Sequence, residues 1–173
     1  LDPPSQTQIE RLEELSPSLI LSTDLYGNDV LYPLLGSDLT PMPPEQVADI
    51  AANIVEVVDR LAQTDAEVFL ANLPYPGQLP AAKEHQLDVV SGVLSPETLE
   101  LFIDSLEDAT TELNATLAQE ASAHPNVHVV DLNARVELLV EQGVEAEGHE
   151  LSIAKLGGLV GIDGVHFTDT GYA

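Results

Sequence analysis

An α/β fold built on a parallel sheet is the class this sequence predicts, and three observations predict it. Three apolar runs of strand length, "SLILST", "EVFLANLP" and "VHVVDL", are spread along the chain. The segments between them are long enough for helices and carry apolar residues at helical spacing. Strands alternating with helices pair most naturally in parallel, through right-handed crossovers. Finally, each run leads into a polar residue, Asn28, Asn72 or Asp131. Ligands of parallel sheets bind beyond the carboxyl ends of the strands, so these positions are where a site is expected.

Taken in order, "QIERLEEL" places Ile9, Leu12 and Leu15 at helical spacing, and Ser16-Pro17 stops it. The first strand, "SLILST", runs into the turn-rich "DLYGNDVL". Proline-rich "LTPMPPEQ" then opens an amphipathic helix from about Pro44 to Gln63, with Val47, Ile50, Ile54, Val57, Val58 and Leu61 on one stripe. The second strand ends in a loop punctuated by Pro74, Pro76, Gly77 and Pro80. Ser95 followed by Pro96 reads as an N-cap with proline at the first helical position, opening a helix to about Ala121. After the third strand, Asn133 is the expected cap of a helix that stops before Gly143, with loop from there to the end. No internal repeat or domain boundary is visible, so residues 1–173 read as a single domain or part of one.

The charge is unusual. Thirty Asp and Glu against five Lys and Arg give a formal net charge of -25 over 173 residues. Such a surface repels phosphate backbones and anionic lipid, which argues against nucleic-acid or membrane-surface binding. Acidic stretches, such as the one around Glu145 and Glu147, read as solvated faces. The lysine-poor surface fits a saline or extracellular setting, and a secreted or extracytoplasmic location is the expectation. Without cysteine there is no thiolate nucleophile, disulfide or Cys-ligated zinc. No apolar run approaches the ~18 residues that would span a bilayer.

Two short segments carry chemistry. Asp163 and His166 are three apart in a glycine-containing loop, close enough for the carboxylate to accept from the imidazole. That bond would select the ring's tautomer and stabilise the imidazolium formed when the ring takes a proton. Alone, such a pair is as readily a loop hydrogen bond. Asn28, in "YGNDV", has an amide whose N–H can donate to a developing oxyanion, with Gly27 permitting a tight turn. Gly-Asn-Asp is also an ordinary turn sequence, and Asp29 either braces that turn or caps the segment after it.

Together the two segments point further. "SPSLILSTDLYGNDVL" resembles the third sequence block of the SGNH hydrolases, the GDSL esterase/lipase superfamily, and "LGGLVGIDGVHFTDTGYA" resembles the fifth, Asp-x-x-His. Both stand in the family order, and the resemblance covers nearly the whole chain. It implies a flavodoxin-like three-layer sandwich and a serine ester hydrolase acting on a small-molecule ester. By the same resemblance His166 is the general base, Asp163 its orienting carboxylate and Asn28 an oxyanion-hole donor, with Gly27 and Asp29 on the substrate side of the turn. No cofactor and no metal are implied. Phe167 stands where proline is common, and Tyr26 is a second departure, expected to alter the pocket's shape.

The larger departure is an absence. The family's first block, Gly-Asp-Ser, supplies the nucleophile, and its second supplies an oxyanion-hole glycine; neither is recognisable here. Ser37 in "GSDL" has the letters in the wrong order and comes after the Asn block, and Ser91 reads as a turn or cap. The expectation is therefore the C-terminal part of a larger domain, its first strand missing and supplied by an N-terminal segment or a second chain. The opening at Leu1 and the abrupt end at Ala173 fit that expectation. The alternative is a non-catalytic relative that keeps the pocket as a binding or scaffold module. A metal hydrolase using Asp163, His166 and Asp131 is a poorer reading, because one histidine with scattered carboxylates makes a weak zinc set. His85, His124, His128 and His149 lack metal spacing, and Asn114-Ala-Thr116 matches a glycosylation sequon inside a predicted helix.

Overall fold

The computed structural model describes residues 7–35, 39–90, 92–146 and 149–152. Helix α1, Gln8–Leu15, starts at Thr7, where two bonds close a capping box. The Thr7 hydroxyl accepts from the Glu10 N–H at 3.3 Å, and the Glu10 carboxylate accepts from the Thr7 N–H at 2.7 Å. Hydrogen bonding from Thr7 to the carboxylate, that of its backbone N–H foremost, holds the Glu10 carboxyl below the usual glutamate range. The helix ends where Ser16 turns left-handed at φ 47° before Pro17, as the sequence predicts.

Strands β1, Leu19–Ser22, β2, Glu67–Ala71, and β3, Val127–Val130, form one parallel sheet in the order β1-β2-β3. The sheet confirms the α/β class, and its parallel order is that of a flavodoxin-like fold. Register aligns Ile20, Val68 and Val127 in one row, with Leu70 and Val129 in the next. These residues join the core with helices α3, Pro44–Ala62, and α5, Pro96–Ser122. Helix α3 buries Val47, Ile50, Ile54, Val58 and Leu61, so only Val57 of the expected stripe is less than fully buried. Helix α5 begins as the sequence predicts, with the Ser95 hydroxyl accepting from the Thr98 N–H at 3.0 Å. Its buried positions, Leu99, Phe102, Leu106, Ala109, Thr110, Leu113, Leu117 and Ala121, recur every three or four residues apart from the adjacent Ala109 and Thr110. The opposite side of the sheet carries Leu21, 68% exposed, the Phe69 ring stacked on His128, and Val130, 45% exposed.

Several expectations need correction. Gly27–Leu31 is a short helix, α2, rather than a plain turn, and it runs into a 3₁₀ turn at Tyr32–Leu35. The proline-punctuated loop is shorter than expected. Pro76 opens a 3₁₀ turn, Pro76–Gln78, and Pro80 opens helix α4, Pro80–Val90, because proline suits a first helical position as well as a break. Helix α6, Leu132–Gln142, is capped by Asp131, whose carboxylate accepts from the Ala134 N–H at 3.1 Å; Asn133 lies inside the helix. Beyond Gly143, Val144–Ala146 and His149–Leu151 pair as an antiparallel ribbon, β4 and β5, where loop was expected.

Candidate active site

All three parallel strands point their carboxyl ends the same way, and each delivers a polar loop there. From β1 come Asp24 to Asp29, from β2 come Asn72 to Tyr75, and from β3 come Asp131 to Asn133. Side-chain amides tie the three loops into one network.

The centre of the network is Asn114, on the core-facing side of α5. Its Oδ1 accepts from the Leu73 N–H at 2.9 Å and from the Tyr26 hydroxyl at 2.5 Å, while its Nδ2 donates to the Leu73 carbonyl at 2.9 Å. One amide thus satisfies both backbone groups of Leu73, as a neighbouring strand would, and anchors the β1 loop through Tyr26. Burial pushes the Tyr26 phenol far above its ordinary pKa, keeping it a neutral donor. Tyr26 is 2% exposed and supports the loop from beneath.

A second set of bonds joins β2 to β3. Asn72 Nδ2 donates to Asp131 Oδ1 at 2.9 Å, Asn72 Oδ1 accepts from the Asn133 N–H at 2.9 Å, and Asn133 Oδ1 accepts from the Tyr75 N–H at 3.0 Å. The bond from Asn72, then that from the Ala134 N–H, holds the Asp131 carboxyl below the usual aspartate range. Asp131 is therefore a brace and a cap, its Oδ1 accepting from both donors.

Asn28 stands on this platform, exposed, in the first turn of α2, with Asp29 exposed beside it. Among the described residues, Asn28 Nδ2 donates to Asp24 Oδ2 at 3.3 Å. Gly27 is buried, and a Cβ there would collide with Asp24 Oδ1 and lie 3.3 Å from Leu73 Cδ2. A side chain here would have to push the exposed Asp24 carboxylate aside, and no unusual φ is involved. An amide donor at the end of a parallel strand, its loop pinned from below, is suited to hydrogen-bonding an anion that forms above it.

His166 and Asp163 lie outside the described residues, as do Ser37 and Ser91. Three residues that build the platform were not apparent in the sequence: Asp24, Asn114 and Asn133 in its observed role. A signal existed for Asn114, an amide set among Leu106, Thr110, Leu113 and Leu117 on the buried stripe of α5. The same bonds occupy the Asn114 amide nitrogen, so the sequon there is not open to a sugar in the folded chain.

His85, His124 and His128 have ordinary partners. His85 Nε2 meets the Leu34 carbonyl at 2.9 Å, and His128 Nε2 meets Glu67 at 2.8 Å. At the other end of the sheet, His124 Nε2 lies 3.1 Å from Asp59 and 3.7 Å from Glu120. That trio is the one group among the described residues with metal-ligand proximity, and it links α3 to the end of α5 as a partly exposed imidazole–carboxylate contact far along the strands from Asn28. None of the described helices is long and apolar enough to cross a membrane.

Comparison with known proteins adds one finding. The family model described as GDSL-like Lipase/Acylhydrolase matches residues 5–173. No curated protein and no solved structure matches.

Proposed function

The chain belongs to the GDSL-like lipase/acylhydrolase family, and on that footing we propose that it hydrolyses a small-molecule carboxylic ester through a Ser-His-Asp mechanism with Asn28 in the oxyanion hole. Hydrolase chemistry on an ester is what the family carries; the assignment of roles is our reading. The observation that bears it is the exposed Asn28 amide at the carboxyl end of β1, on a loop anchored through Tyr26 and Leu73 to Asn114.

In this scheme a serine Oγ attacks the acyl carbon while His166 takes its proton, and Asp163 stabilises the resulting imidazolium. The carbonyl oxygen becomes an oxyanion and accepts from Asn28 Nδ2–H. Collapse breaks the ester C–O bond, and His166 returns the proton to the departing alcohol. Water then attacks the acyl-serine by the same route, releasing the acid. Gly27, buried under the turn, lets Asp24 and Leu73 pack close beside it, and Asp29 is exposed next to Asn28.

We assign the serine to a segment outside these 173 residues, because no Gly-Asp-Ser order occurs in them. Support comes from β1, one of the two edge strands of the sheet among the described residues, the other being β3. A further parallel strand on that edge would pair its open backbone groups.

The test is Asn28→Ala in the full-length protein, assayed on a p-nitrophenyl ester. Loss of one oxyanion donor should lower kcat by ~10²–10³-fold, with His166→Ala lower still. An unchanged kcat in Asn28→Ala would remove Asn28 from the mechanism. The missing Gly-Asp-Ser order also favours a second reading, a binding module without a nucleophile. Failure of a fluorophosphonate to label the full-length protein, together with absent esterase activity, would select it.

A further inference from the structure

We infer that Asp24 is a positioning residue that locks the Asn28 amide with its N–H side toward the substrate; this rests on the oxyanion role proposed above for Asn28. An amide side chain has two nearly isosteric ends, and only one suits an oxyanion hole. With the nitrogen forward the group donates; turned over, it presents an oxygen to the developing negative charge and opposes the reaction. Something must hold the choice. A carboxylate can only accept. Asp24 Oδ2 lies 3.3 Å from Asn28 Nδ2, so the native orientation forms a charge-assisted bond, whereas the flipped one would set Asn28 Oδ1 against a carboxylate oxygen. The two N–H bonds of the amide diverge by roughly 120°, as the planar group requires. Asp24 engages one and leaves the other for the oxyanion.

Gly27 provides the seat for this carboxylate. A Cβ at position 27 would collide with Asp24 Oδ1 and displace the carboxylate from its place beside Asn28. The same Cβ would lie 3.3 Å from Leu73 Cδ2, and Leu73 is fixed by Asn114. The carboxylate is thus held between the glycine below it and the amide beside it. Asp24 and Asn28 are both exposed, which lets water screen the negative charge of Asp24 from the oxyanion.

The experiment is a double-mutant cycle in the full-length protein, measured as kcat and KM on p-nitrophenyl butyrate. Asp24→Ala should lower kcat about 10-fold with KM within about twofold, a smaller loss than removing the donor itself. Asp24→Asn should recover most of the rate, since its amide oxygen can still accept from Asn28. In an Asn28→Ala background, Asp24→Ala should have no further effect, because the amide it orients is gone. Thermal unfolding midpoints of Asp24→Ala and Asp24→Asn should agree with the parent's, separating orientation from folding.

The outcomes separate the two claims. If Asn28→Ala retains full kcat, the oxyanion assignment fails and the role of Asp24 fails with it. If Asn28→Ala is impaired but Asp24→Ala is silent, the assignment of Asn28 stands and that of Asp24 is overturned. An equal loss from Asp24→Ala in both backgrounds would also overturn it, by showing that Asp24 acts through something other than Asn28.

Discussion

Three hydrogen bonds from Asn114 decide how firmly the β1 and β2 loops are held together. Replacing it with leucine keeps the branched shape and favours the helix, but strands the Leu73 N–H and carbonyl and the hydroxyl of buried Tyr26. Each orphaned buried group costs about 1–3 kcal/mol. Asn114→Leu should therefore destabilise the fold by at least ~2 kcal/mol, read as a lowered midpoint in urea unfolding; a loss below ~0.5 kcal/mol would show that water replaces the clamp. At this scale the sequence was partly legible. Asn28 stood out because Gly-Asn-Asp and Asp-x-x-His occur in a recognisable order. Asn114 did not, since its partner Leu73 is 41 positions away and no local pattern links the two.

Capping makes the same point for elements. Asp131 starts α6 and receives the Asn72 amide, so two kinds of donor converge on one carboxylate. Asp131→Ala should cost about 1 kcal/mol at neutral pH, the usual loss for an N-cap. The pH dependence comes from the lowered pKa of the folded state, caused first by the Asn72 bond. A carboxyl with a depressed folded pKa contributes fully above its unfolded value of ~3.9 and loses that contribution as pH falls through the folded one. The stability gap between parent and Asp131→Ala should hold from about pH 7 to about 5 and narrow below ~3.9; a gap that widens in acid would contradict this account. Long elements were readable because α3 and α5 bury regular stripes. Short ones were not. Pro80 reads as a breaker yet opens α4, and β4 and β5 have three residues each, too few to show alternation.

For the whole molecule the dominant quantity is charge. With 30 Asp and Glu against 5 Lys and Arg, acidic side chains exceed Lys and Arg by 25. The two arginine pairs, Arg11 with Glu14 and Arg60 with Glu13, are surface contacts of small value. Self-repulsion opposes the compact state and is screened with a Debye length of about 30 Å at 0.01 M salt and about 3 Å at 1 M. The thermal midpoint should rise by several degrees between those two salt concentrations; a flat or falling midpoint would show that the carboxylates are too well solvated to matter. Composition made this property legible, and the alternation of strands and helices made the parallel sheet legible. The joining of three loops through Asn72, Asn114 and Asn133 was beyond reach, because it depends on which strands become neighbours. The Asn114 clamp also bears on where the protein can be made. Asn114-Ala-Thr116 is an acceptor for the sugar-transferring machinery of a eukaryotic secretory pathway, which acts on nascent chains. A glycan on Nδ2 would sit where the Leu73 carbonyl must bind, so glycosylation and native assembly exclude one another, and the expression host becomes a determinant of yield.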